Sequence, residues 1–135
     1  YNVMNISILG ISYITEYVIE KIINYSDNIK VFSEKNDYNF ENKYKSNKSI
    51  NILKQNILED QVEKISKSSD IIFLLSESDP FNSFSYEKII NNEPNKKIIM
   101  YLNDKDIYEM YKEKNYSVIT YLDLENYDFS YLVKE

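Results

Sequence analysis

The chain has 135 residues, enough for one domain that buries roughly two-thirds of its unfolded surface without a disulfide or a metal to hold it. It contains no Cys, His or Trp, which excludes thiol and imidazole catalysis and the common zinc sites, and its 16 basic residues are all Lys, which excludes bidentate capture of phosphate, carboxylate or guanine by Arg. A formal net charge of -6 with dispersed Lys repels nucleic-acid phosphates, no stretch approaches the ~20 apolar residues of a membrane span, and no N-terminal signal pattern is seen, so a cytoplasmic protein without direct membrane insertion is expected.

Short apolar runs rich in Ile, Val and Phe alternate along the chain with segments of helical period. The first run predicts a strand over 5–9, enters the only glycine, Gly10, and continues into a helix over 13–25 with Ile14, Tyr17, Val18, Ile22 and Tyr25 on one face. That is the layout of a dinucleotide-binding turn, in which the usual G-x-G-x-x-G reads Gly10-x-Ser12-x-x-Thr15. The first glycine makes the tight turn and the second lets backbone approach a pyrophosphate, so Ser12 adds a side chain where phosphate would sit. Ser12 and Thr15 also bring hydroxyls that can donate to a phosphate.

A second strand is predicted over 29–33 and ends at Glu34, where an acid accepts hydrogen bonds from an adenosine ribose. An acid there disfavours a 2′-phosphate, and with no Arg to receive one, NAD or an adenine nucleotide is favoured over NADP. Residues 35–48, rich in Asn, Lys and Tyr without clear period, predict a short helix or a loop. Then come a strand over 49–53, a helix over 60–67 with Val62 and Ile65 inward, and a strand over 70–75. Beyond it, in Ser76-Glu77-Ser78-Asp79-Pro80-Phe81-Asn82, residues Ser76, Ser78 and Asp79 are placed to line a crevice at the strand's carboxyl end. The same residue types serve any strand-to-helix turn, with Asn82 as cap of a helix over 82–91. A strand over 97–102, a helix over 104–114 opened by Asn103 or Asp104, a strand over 117–120 and a last helix over 124–133 complete the chain.

This alternation predicts an α/β fold: a Rossmann-like doubly wound parallel sheet of about six strands in the order 3-2-1-4-5-6, with helices on both faces. Residues 4–135 are expected to form the single domain, with Met4 as a candidate start and Tyr1-Asn2-Val3 as an upstream segment or an appended remnant.

The run from Glu59 to Tyr121, leading through Ser69-Asp70-Ile71-Ile72-Phe73-Leu74-Leu75 to Asp79 and Asn82 and then to Lys97-Ile98-Ile99-Met100-Tyr101-Leu102-Asn103, resembles the TrkA N-terminal family. These are the RCK domains that regulate potassium channels and transporters. Family members follow the fourth strand with Thr-x-Asp-Asp-x-x-Asn; here Asp79 and Asn82 match, and Ser76 and Ser78 replace the Thr and the first Asp. The family's Gly-Asp before the third helix looks like Gln55-Asn56. The resemblance implies a regulatory ligand-sensing domain and not a catalyst. It places a pyrophosphate over Gly10 to Thr15, Tyr13 included, a ribose at Glu34, and Asn56 and Ser76 at the border of the crevice. A potassium channel or transporter subunit is the implied partner.

Two other readings stay open: an interaction module that keeps the fold for packing and binds no nucleotide, and an NAD-dependent oxidoreductase. The second would use a Tyr-x-x-x-Lys pair, and that spacing occurs at Tyr17/Lys21, Tyr44/Lys48 and Tyr108/Lys112. Self-association as a dimer is expected through Tyr121, Leu122, Leu124, Tyr127, Phe129, Tyr131 and Leu132, which outnumber the residues one helix face needs against a sheet edge. In the RCK family such domains pair.

Overall fold

The computed structural model describes residues 4–129. Each predicted apolar run forms a strand: β1 (Ile6–Leu9), β2 (Ile29–Ser33), β3 (Ile50–Lys54), β4 (Ile71–Leu74), β5 (Lys97–Tyr101) and β6 (Val118–Ile119). Between them lie α1 (Thr15–Ile22), α2 (Tyr38–Tyr44), α3 (Glu59–Lys67), α4 (Asp79–Asn92) and α5 (Lys105–Glu113). All pairings are parallel, in the order β3-β2-β1-β4-β5-β6, as the alternation predicts. β1 and β4 meet at the centre, in register from Ile6 opposite Ile71 to Leu9 opposite Leu74.

Strands covered on both faces need apolar side chains at every position, and period-two alternation sorts them between two cores. Ile6, Ile8, Phe73, Leu75 and Ile99 point to the face packed by Val18, Ile19 and Ile22 of α1 and by Phe40 and Tyr44 of α2. Leu9, Ile72, Leu74, Ile98 and Met100 point to the other, against Val62 and Ile65 of α3, Tyr86 and Ile89 of α4 and Tyr108 of α5. Burying one such side chain contributes about 1.5–3 kcal/mol.

Two boundaries differ from expectation, each for a local reason. α1 begins at Thr15, because the Thr15 hydroxyl accepts from the Ser12 N–H at 2.9 Å and the Thr15 N–H donates back to the Ser12 carbonyl, closing a turn ahead of the helix. α4 is capped by Ser78 and not by Asn82: Ser78 Oγ accepts from the Phe81 N–H at 3.2 Å, Pro80 fits the first turn, and Asn82 lies buried inside the helix. The region without period, 35–48, contains α2, capped by Asp37. Asp104 caps α5.

The helix predicted over 124–133 does not form through its described part. A 3-10 turn at Tyr121–Asp123 follows β6, held by Asp123 accepting from the backbone and hydroxyl of Thr120, and the chain then folds under the sheet. There Phe129 is fully buried, edge-on to Phe73 at 5.8 Å between ring centroids, with Leu124 and Tyr127 packed on the same core. Phe129 therefore serves the core of its own chain; Tyr131 and Leu132 lie outside the described residues. Among the described residues no helix is long and apolar enough to cross a membrane.

Candidate functional site

The carboxyl ends of β1 to β4 open into a crevice of about 590 Å3, at the point where strand order reverses between β1 and β4. Its walls come from four connections: Gly10 and Ile11 after β1, residues 32–37 at the end of β2 and beyond, Ile57 before α3, and Ser76, Glu77, Ser78 and Phe81 after β4. Phe32, Ile57 and Phe81 supply apolar surface, and the charged groups are Glu34, Asp37 and Glu77 against Lys35. This mixture of apolar wall and a few polar groups suits a small organic ligand.

Gly10 is required by packing as well as by the turn. Its φ is +94°, and a Cβ at this position would stand 2.5 Å from Ser76 Cα and 2.6 Å from Ser76 N, which are backbone atoms of the neighbouring connection. The Gly10 N–H donates to the Phe32 carbonyl at 2.8 Å, and the Leu75 N–H donates to Leu9 at 2.9 Å, so the ends of β2, β1 and β4 are tied together under the crevice.

Glu34 stands where the ribose acid is expected, and one of its oxygens is already in use: Oε1 accepts from the Ile57 N–H at 3.1 Å. This bond anchors the connection after β3 to the end of β2 and turns Ile57 into the crevice. Neighbouring Asn56 is exposed and outside the lining. No partner for Glu34 Oε2 occurs among the described residues, which leaves that oxygen as an acceptor for a ligand.

Of the other candidate residues, Gly10, Ser76 and Ser78 line the crevice, while Ser12, Tyr13, Thr15 and Asp79 do not. Ser12 and Thr15 are buried and satisfy each other's backbone, and Ser12 Oγ is buried without a hydrogen-bond partner. Asp79 accepts from the Asn103 N–H at 2.7 Å and the Asp104 N–H at 2.8 Å. Asn82 donates to the carbonyls of Ser76 at 2.8 Å and Tyr101 at 2.7 Å and accepts from the Ser76 N–H at 3.2 Å. Together they clamp the connection after β4 to the connection after β5. Buried and fully paired, these groups are costly to remove one at a time.

Tyr13 leaves the turn in the other direction. Its hydroxyl lies 2.7 Å from that of Tyr101, at the end of β5, and its ring meets Tyr101 and Tyr121 edge-on, with centroids at 6.0 and 6.3 Å. The Tyr101 hydroxyl is also 2.7 Å from Asn103 Oδ1. Burial and the Tyr13 contact raise the Tyr101 pKa above its ordinary value, so the group stays neutral and is no general base at pH 7.

Sequence reasoning missed the apolar walls, Phe32, Ile57 and Phe81. In sequence they are indistinguishable from core positions, and only the strand ends select them. It also missed the tyrosine cluster, whose members are distant along the chain. Of the Tyr-x-x-x-Lys spacings, Tyr108 and Lys112 do touch, at 3.1 Å, but the Tyr108 hydroxyl lies toward Asp123 after β6, and neither residue lines the crevice.

No family model and no curated protein matches the chain. Solved structures do. The GsuK RCK domain is 15% identical with a TM-score of 0.63, over 90% of this chain and 26% of the other. A Rossmann-fold NAD(P)-binding family protein from Shigella flexneri is 11% identical with a TM-score of 0.56, over 88% of this chain and 66% of the other. A wide-type short-chain dehydrogenase/reductase from Veillonella parvula DSM 2008, in complex with NADP, is 12% identical with a TM-score of 0.53, over 96% of this chain and 58% of the other. The chain thus spans from about a quarter to two-thirds of these proteins' length, and the likeness is one of fold: the domain is Rossmann-like.

Proposed function

We propose that this domain is a cytoplasmic, non-catalytic regulatory module that senses an adenine nucleotide in the crevice, in the manner of the domains that control potassium channels and transporters. The observation that carries the reading is Glu34: a carboxylate at the end of β2, with one oxygen fixed by the Ile57 N–H, lining a crevice that also holds the apolar side chains of Ile57, Phe32 and Phe81. Ribose hydroxyls meet the free oxygen and the base packs on the apolar wall. Phosphate lies toward Gly10 and Ile11, the part of the β1–α1 turn that lines the crevice. The RCK neighbour and the sequence resemblance support a regulatory role, and Tyr108 and Lys112 standing away from the crevice argues against a dehydrogenase.

A packing-only module is the second reading, favoured by Ser12, Thr15, Asp79 and Asn82, whose hydrogen-bonding groups are largely turned to internal contacts. Calorimetric titration with NAD, NADH, ATP, ADP and AMP separates the two. Glu34→Gln keeps a carbonyl for the Ile57 N–H and puts an NH2 group, which cannot accept, in place of the free oxygen. A hydrogen bond to a charged group contributes about 1.5–3 kcal/mol, so affinity should fall roughly 10- to 100-fold. Unchanged affinity would remove the ribose assignment, and no heat from any ligand would favour the packing-only module.

A further inference from the structure

We propose that the crevice takes an adenine mononucleotide of low charge, of the AMP type, and excludes dinucleotides, because the tyrosine cluster of Tyr13, Tyr101 and Tyr121 covers the half of the sheet edge that a second nucleotide needs. This inference rests on the nucleotide-sensing reading above and narrows it. In a doubly wound sheet a dinucleotide crosses the switch point, with one nucleotide over each half of the strands' carboxyl edge. The crevice here is walled by the end of β2 and by the connections leaving β1, β2, β3 and β4, with no lining residue from β5, β6 or their connections. Over the other half, Tyr13 reaches from the β1–α1 turn to the end of β5 and to the segment after β6, with its hydroxyl on Tyr101 and its ring edge-on to both partners. The Tyr101 hydroxyl is held in turn beside Asn103. A nicotinamide nucleotide would have to displace this ring and break its contacts.

Two further features oppose a long, multiply charged ligand. The Ser12 N–H, at the second glycine position of the turn, is already bonded to the Thr15 hydroxyl and offers nothing to a pyrophosphate. The lining carries Glu34, Asp37 and Glu77 against the single ammonium of Lys35, so the phosphate charges that ATP adds to AMP meet net repulsion. NAD carries no more phosphate charge than AMP, and its exclusion rests on the tyrosine cluster and the withdrawn Ser12 N–H.

The test is calorimetric titration of the chain with AMP, ATP and NAD, repeated on Tyr13→Ser and Tyr121→Ser. Tyr13 is 65% exposed and Tyr121 56%, so neither substitution removes core packing, and circular dichroism checks that each variant keeps the fold. The wild-type chain should bind AMP at least tenfold more tightly than NAD or ATP. Tyr13→Ser should narrow the gap between NAD and AMP at least fivefold while AMP affinity stays within twofold. NAD or ATP binding as tightly as AMP to the wild-type chain, or a gap between NAD and AMP that neither variant narrows, overturns the exclusion and leaves the nucleotide reading standing. Absence of binding by all three ligands overturns both.

Discussion

Gly10→Ala tests whether the lone glycine is kept for the fold as well as for a ligand. Its geometry imposes two costs. An L side chain at φ +94° leaves the right-handed regions, at about 1–2 kcal/mol, and a Cβ 2.5 Å from Ser76 Cα overpacks the junction, at about 1–3 kcal/mol. The clash is with backbone, so relief requires Ser76 to move away from Gly10, which shears the bond from Leu75 N–H to Leu9 just before it. The upper half of the range applies, about 3–5 kcal/mol, a large part of a domain stability of about 5–15 kcal/mol. For a chain of this length that lowers Tm by on the order of 10–18 °C, with the urea midpoint falling and its slope unchanged. A Tm within about 2 °C of the wild-type value would refute the packing role and leave the glycine to the ligand alone.

Ser12→Ala deletes a buried hydroxyl without a hydrogen-bond partner and leaves the Ser12 backbone bond to Thr15 intact, so thermal unfolding should show no loss, or a gain of up to about 1 kcal/mol; a loss above about 1 kcal/mol would mean that the hydroxyl is paired. The Tyr116 hydroxyl is pushed up to about 12 by burial and by its bond to Glu87, from an ordinary value of 10.0, so in that interval the unfolded chain sheds a proton that the folded chain keeps. Stability from this group is complete below about pH 10 and is lost as pH rises toward 12; Tyr44 and Tyr101 shift in the same direction. Tyr116→Phe should therefore lose less stability than the wild-type chain between about pH 9 and 11 in urea titrations, and an equal loss would contradict the assignment.

The sheet was legible because its signal is local. Runs such as Ile71-Ile72-Phe73-Leu74 are too short and too uniformly apolar for a surface helix, and alternation with helical segments leaves a parallel, doubly covered sheet as the simplest arrangement. Helix starts were less legible, because Ser78 and Asn82 are both good cap residues and the choice turned on Asn82 finding the Ser76 and Tyr101 carbonyls, the latter on another strand. In the crevice, Gly10, Glu34, Ser76 and Ser78 could be placed from strand ends alone. The bond from Ile57 to Glu34 could not, since it joins two connections through the pairing of β2 with β3. Likewise the Ser12 to Thr15 turn shows in sequence only as missing glycines, whereas its hydroxyl-to-backbone bond shows which donor has been withdrawn. Through its described residues, 124–129, the predicted last helix does not form, for a related reason: apolar spacing from Leu124 to Phe129 is satisfied by an irregular segment that seats Phe129 on Phe73.

Because the chain has one glycine, growth with 15N-glycine places a reporter at Gly10, on the lining of the crevice. The most direct measurement is the position of its amide resonance during titration with AMP, in the wild-type chain and in Glu34→Gln. A nucleotide seated against Glu34 with its phosphate toward Gly10 and Ile11 should move that resonance saturably in the wild-type chain, with the midpoint displaced to roughly 10- to 100-fold higher AMP in the variant. A resonance that stays in place while AMP rises to millimolar concentration, or one that moves identically in both proteins, would contradict nucleotide sensing through this crevice.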